Sequence, residues 1–209
     1  IAFDQDPDAE AHAQPLVDSD ARFSFVRSSF AELGERIAAL GLTGRVDGVL
    51  FDLGVSSPQF DVAERGFSFR HAGPLDMRMN PDAGQPLSTW LHAASHGEIA
   101  SVIKRYGEEP MAGRIAGAIV DAREAGPIQD TGRLAAIVAA AIPARVAAGK
   151  RIHPATRTFQ AFRMYINDEI GALERGLESA FDVLAPGGRL LLVPYMTLAA
   201  CAARRLRCD

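Results

Sequence analysis

Residues 46–59 read VDGVLFDLGVSSPQ, and this run constrains the fold more than any other. Its first eight residues are nearly continuous in apolar character, as expected of a parallel strand covered on both faces. The strand delivers Asp52 to its carboxyl end, and Gly54, Ser56, Ser57 and Pro58 bend the chain at once. In an open α/β sheet, ligands bind in the crevice beyond the carboxyl ends of the strands. Here that crevice is offered a carboxylate, two hydroxyls and the Gln59 amide on a sharply turned backbone.

The flanking sequence repeats the pattern. Residues 1–4 (IAFD) read as the tail of a strand ending in Asp4, so the chain is expected to begin in the middle of a fold. Asp6-Pro7-Asp8 then offers a helix start with proline in the first turn. Residues 23–26 (FSFV) read as a short strand. Ser28 or Ser29 can cap a helix whose Phe30, Leu33, Ile37 and Leu40 keep helical spacing, and Gly41 and Gly44 end it. Strands ending in Asp that alternate with amphipathic helices predict an α/β fold with a Rossmann-like, doubly wound sheet.

From about residue 61 to 154 no convincing strand is visible. A loop rich in Gly, Pro and Met (65–86) precedes helical stretches at 99–106, 115–123 and 134–145. The expected organisation is therefore a discontinuous core, 1–64 with 159–209, interrupted by a helical insertion over 65–158. The core resumes in one long helix over 155–184, with Phe159, Phe162, Ile166, Ile170, Leu173, Leu177, Phe181 and Leu184 along one face. Pro186-Gly187-Gly188 turns into a strand at 189–193.

With 209 residues, 48 % apolar and 23 % charged, the chain has the composition of a soluble globular protein rather than a fibre or a disordered segment. Its longest apolar run, 134–143, falls short of the roughly 20 residues that span a bilayer, and no signal peptide is visible. Cys201 and Cys208 both lie in the last nine residues, where they cannot staple a core or form a metal spacing; a reducing cytoplasm is the simple reading. The net charge of −4 excludes indiscriminate coating of nucleic acid. It leaves room for a local basic face, and residues 145–163 supply one: Arg145, Lys150, Arg151, Arg157 and Arg163 with His153, and no acid. A solvated surface stretch is the competing account.

Asp4 and Asp52 stand where a carboxylate commonly accepts hydrogen bonds from a ribose or an amine, or where it caps the next helix. Gln59 can meet a base edge or a cofactor carboxylate, or be an ordinary exposed loop residue. Phe30 can stack on an adenine or simply fill its helix's core face. His92 and His96 have the i, i+4 spacing of a zinc helix, but no Glu lies between them and no third ligand is evident, so no metal is assigned. The run HPATRTFQAFR (153–163) gathers a cap, two hydroxyls and two arginines near a helix start, which suits a phosphate or a buried structural network.

Together, VDGVLFDLGVSSPQFDVAERGFSFRHAGPLDMRM, YGEE (106–109), HPATRTFQAFR and LAPGGRLLLV closely resemble the bacterial RsmH (MraW) family, in order and over nearly the whole chain. That resemblance implies an S-adenosylmethionine-dependent methyltransferase acting on the exocyclic N4 amine of a cytosine in the decoding centre of 16S ribosomal RNA, within the small ribosomal subunit. It further implies cofactor contacts from Asp4, Phe30, Asp52 and Gln59, and an RNA-recognition role for the insertion. Such an amine is a poor nucleophile, its lone pair delocalised into the ring, so acceptors must hold its protons while an electrophilic methyl is presented in line. Asp52, Ser56 and Ser57 are the acceptors available. The base must also leave its stack, which calls for a grip on the flanking phosphates; Lys150, Arg151, Arg157 and Arg163 are the candidates.

The family's first strand and its glycine-rich loop ending in Gly-Gly-His are expected upstream of Ile1, which makes the chain read as a fragment. Residues 194–201, PYMTLAAC, depart from the family's Ser-Phe/Tyr-His-Ser-Leu-Glu-Asp-Arg. These departures keep a second hypothesis open, a catalytically inactive RNA-binding remnant. A nicotinamide-dependent oxidoreductase is a third, since Asp4 also suits a dinucleotide ribose, although no G-x-G-x-x-G is present.

Overall fold

The computed structural model describes residues 1–147 and 152–193. They pack as two compact units: Ile1–Gly54 with the chain from Asp168 onward, and Val55–Asn167 between them in sequence.

In the first unit, strand β1 (Ala2–Asp4) leads into helix α1 (Pro7–Ser19), where Asp6 is the N-cap, accepting from the Asp8 N–H, and Pro7 opens the first turn. Strand β2 (Phe25–Arg27) pairs parallel to β1. Ser29 caps a 3-10 turn, Phe30–Glu32, that runs into α2 (Leu33–Ala39). Gly41 and Gly44, both at positive φ, carry the chain into β3 (Val46–Asp52).

The chain then enters the second unit. Two short elements open it, α3 (Ser57–Asp61) and a 3-10 turn at Ala63–Arg65. The helices α4 (Leu87–Ala93), α5 (His96–Gly107), α6 (Ala112–Glu124), α7 (Thr131–Ala141), α8 (Ala144–Ala147) and α9 (Thr156–Ile166) follow. Helix α5 packs on both α9 and α6, and α6 on α7. Leu87, Ile99, Ile103, Ile115, Leu134 and Phe162 are wholly buried in the resulting core. Gly107 lets α5 and α9 approach, since a Cβ there would lie 2.5 Å from the Arg157 carbonyl oxygen. The only β pairing among the described residues of this unit is an isolated bridge, Pro74 to Asp130. The described residues of this unit are thus mostly helical, with α3 and α4 as elements the periodicity does not reveal. Helix α7 stops at Ala141, two residues before Pro143, instead of running on to Arg145.

Back in the first unit, α10 (Glu169–Val183) packs against α2 and the 3-10 turn and leads directly into β4 (Leu184–Val193). The single long helix expected over 155–184 is in fact two. Asp168 adopts a left-handed conformation, φ +46°, and Asn167 turns its side chain onto backbone groups, so the helix cannot continue through them. Strand β4 pairs parallel to β3 from Gly48↔Arg189 to Asp52↔Val193. The Pro-Gly-Gly turn becomes an irregularity inside β4: Val46 pairs with Leu184, and the register then shifts before Gly48 meets Arg189, with Gly187 at φ +82°.

Two expectations about the sheet are corrected. The described strands form two separate two-stranded parallel sheets, β1–β2 and β3–β4, rather than one doubly wound sheet, because no described strand joins them. Nor is β3 covered on both faces. Phe51 is buried at 4 % exposure, whereas Leu50, Leu191 and Val193 are 63 %, 52 % and 51 % exposed. What remains is an α/β fold with small parallel sheets.

The segment 65–86 is loop, as expected, and is held by specific hydrogen bonds as a strap. Arg65 donates to the carbonyls of Arg78 and Met79 at 3.3 and 2.9 Å. Met77, fully buried, sits at φ +63°, a conformation costly for a side-chain-bearing residue. Asn167 clamps it: its Oδ1 accepts the Met79 N–H at 2.7 Å, while Nδ2 donates to the Met77 carbonyl at 2.8 Å. Asn167→Ala orphans these half-buried groups and is expected to cost about 2 kcal/mol in chemical denaturation. A midpoint unchanged from wild type would mean that Arg65 holds the strap alone.

Within the strap, Asp76 and Arg78 pair through two hydrogen bonds, 2.7 and 2.8 Å. Burial works against the charged Asp76, but the Arg78 side chain and N–H outweigh it and hold the carboxyl below the ordinary range. A depressed carboxylate stabilises the fold above its unfolded pKa and loses that contribution as pH falls through the folded one. Stability should therefore drop by about 1 kcal/mol below the usual carboxylate range, and Asp76→Asn should flatten that acid limb in denaturant titrations taken across pH.

Candidate functional site

Asp52 closes β3 opposite Val193, and the Leu53 N–H continues the ladder by donating to the Val193 carbonyl at 3.0 Å. The side chain of Asp52 is exposed, and among the described residues its carboxylate has no hydrogen-bonding or ionic partner. Asp4 likewise ends its strand exposed, but one carboxylate oxygen accepts the Asp6 N–H at 2.9 Å, a bond that shapes the entry to α1. Phe30 is half-buried. Its ring meets Phe51 edge-on, 5.5 Å between centroids, above Gly176, where a Cβ would come within 3.0 Å of it. Phe30 is therefore a packing residue of this unit, partly exposed.

In the second unit, Ser56 and Ser57 are exposed at the start of α3. Gln59 is not the exposed loop residue that its type suggests. It is 6 % exposed, and its Oε1 accepts the Ser56 N–H at 3.0 Å, closing the first turn of α3. The His92–His96 pair does not share a helix, because the chain breaks at Ala94 and restarts with Ser95 as N-cap of α5. His96 Nε2 instead lies 3.0 Å from the Gly113 carbonyl oxygen. Among the described residues no group of three or more His, Cys, Asp or Glu is placed to hold a metal.

The basic stretch splits. Lys150 and Arg151 lie outside the described residues, as does 194–201. Arg163 is only 6 % exposed, on the core side of α9 with Thr158 and Phe162, so a surface grip through Arg163 is corrected to a buried role. Arg157 is exposed, and its Nη1 donates to the Glu108 carbonyl at 3.1 Å.

Sequence reading missed a cluster at the start of α9. Phe69, from the strap, sits 4.7 Å from the His153 ring and 4.7 Å from Phe159. His153 is exposed, and its Nδ1 accepts the Ala155 N–H at 3.1 Å. Arg70 and His71 follow Phe69 and are both exposed. The signal available beforehand was the FRH triplet itself, aromatic then basic, lying some 80 residues from HPATR.

A sequence model described as the MraW methylase family matches residues 1–205. The chain belongs to the MraW methylase family. Membership at this level associates it with S-adenosylmethionine-dependent methyl transfer and with ribosomal RNA, and it sets aside the nicotinamide reading, whose glycine motif was already missing. For this MraW-family chain the small parallel sheets carry the family's α/β character, with Asp52 presented at the end of β3. Among the described residues no helix is long and apolar enough to cross a membrane.

Proposed function

We propose that this MraW-family chain transfers the methyl group of S-adenosylmethionine to the exocyclic N4 amine of a cytosine in the decoding centre of 16S ribosomal RNA. The observation that carries the reading is Asp52: an exposed carboxylate without a protein partner among the described residues, at a strand's carboxyl end, in a chain matched to the family over residues 1–205.

The donor set suits the cofactor. Asp4 offers an exposed carboxylate to ribose hydroxyls, and Phe30, half-buried, is the candidate apolar contact for a purine. When bound, S-adenosylmethionine supplies a methyl group made electrophilic by its sulfonium. The chain's own work is on the amine. The Asp52 carboxylate accepts a hydrogen bond from the N–H₂ group, orients its lone pair, and takes up the proton that the amine sheds as its bond to carbon forms. Ser56 and Ser57 supply further acceptors, and Gln59 fixes the turn that carries them.

The test is incubation of the chain with methyl-labelled S-adenosylmethionine and small ribosomal subunits, followed by nucleoside analysis of the RNA. Label in N4-methylcytidine is the expected result. Label in another nucleoside would overturn the assigned position, and RNA binding without transfer would identify an inactive remnant.

A further inference from the structure

We infer that Phe69, Arg70, His71, His153 and Arg157 form a binding surface for single-stranded RNA, with the His153 ring as a stacking face, the Arg70 and Arg157 guanidinium groups as phosphate contacts and the His71 imidazole as a further hydrogen-bonding group beside them. The inference rests on the RNA-methylating reading and deepens it by naming where the strand beside the target base is held.

The ring at its centre is built to be presented. His153 Nδ1 accepts the Ala155 N–H at 3.1 Å, which fixes the flat ring at the start of α9. Phe69 backs it at 4.7 Å and is itself locked edge-on against Phe159 in the helical core, also at 4.7 Å. An exposed aromatic ring supported in this way can take a base of any sequence on its face.

The basic residues beside it stand on a backbone held by side-chain hydroxyls. The Arg70 N–H donates to Ser68 Oγ at 3.2 Å. Thr131, fully buried, pins the next residues: its Oγ1 accepts the Gly73 N–H at 3.1 Å and lies 3.5 Å from the His71 carbonyl. The bend holding Arg70 and His71 is therefore anchored on both sides, while their side chains are exposed and have no partner among the described residues. Arg157 uses one N–H on the Glu108 carbonyl, which orients its guanidinium and leaves other donors for a phosphate. Arginines without acidic partners among the described residues, placed around an exposed ring, are the pattern of a single-strand groove. Duplex RNA, recognised through backbone geometry across its minor groove, has no use for the ring.

The experiment is fluorescence-anisotropy titration of the whole chain with a single-stranded RNA of about 12 nucleotides, over a range of salt. Arg70→Ala with His71→Ala is expected to weaken binding about tenfold and to reduce the slope of log affinity against log salt by about 0.7 for each phosphate no longer neutralised. His153→Ala should weaken binding by a similar factor, and His153→Phe, which keeps the ring, should restore it. Arg114→Ala, an exposed cation on α6, serves as control and should change nothing. Wild-type binding that survives the double substitution and His153→Ala with an unaltered salt slope would overturn this surface alone. A wild-type chain that does not bind the single strand would likewise overturn this surface, while transfer to small ribosomal subunits remains the separate test of the methylation reading. Equal affinity for a duplex of the same length would remove the stacking role.

Discussion

Replacing Asp52 by alanine is expected to lower methyl transfer by about 100- to 1,000-fold, the usual cost of removing one well-placed polar group from a reacting centre. The fold should hardly notice. Asp52 ends β3, its side chain is exposed, and its backbone pairing with Val193 does not depend on the carboxylate. Thermal midpoints of variant and wild type should therefore agree, and the loss should be read from single-turnover transfer to small ribosomal subunits. The partition of the loss is informative. A fall in the rate of the chemical step at saturating cofactor assigns the carboxylate to the amine, whereas weaker binding of S-adenosylmethionine assigns it to the cofactor. Unchanged turnover would remove Asp52 from the reaction and with it the observation on which the proposed function stands.

The second large effect is on stability. Phe162 is fully buried in α9, 5.9 Å from the Trp90 ring in an edge-on contact. Phe162→Ala deletes an aromatic ring from the centre of the helical unit and is expected to cost about 3–5 kcal/mol, transfer and cavity terms together. With typical domain stabilities of about 5–15 kcal/mol, that is enough to leave the unit marginal. Denaturant unfolding followed by Trp90 fluorescence reads the change, because the reporter touches the deleted ring. A shift below about 1 kcal/mol would mean that the surrounding helices close over the void.

How far the sequence disclosed this structure depended on the range of the forces involved. Local chemistry was legible: Asp6 and Pro7 start α1, Ser29 caps the turn after β2, and the apolar run ending in Asp52 is a strand. The break at Asn167–Asp168 was hidden because apolar spacing runs straight through it. What ends α9 is a polar side chain reaching backbone groups 88 and 90 residues away in sequence. The same kind of distant contact hid the role of Phe69, whose partners His153 and Phe159 come from another part of the chain. At the candidate site, the place of Asp52 at a strand end was legible from the apolar run that precedes it. The burial of Gln59 and Arg163 was not, because residue type predicts exposure for both and tertiary packing decided otherwise.

The pairing of β3 with β4 also sets an order of events. Every residue of Val55–Asn167 lies between the two strands in sequence, so bringing Asp52 opposite Val193 closes one very long loop. While that segment is a random coil, the closure is entropically unfavourable and slow. Once the helical unit has condensed, drawing on contacts within a continuous stretch of chain, the effective loop is far shorter. The helical unit is thus expected to fold first and the β3–β4 ladder to zip last, which makes the strand presenting Asp52 the final part of the molecule to assemble.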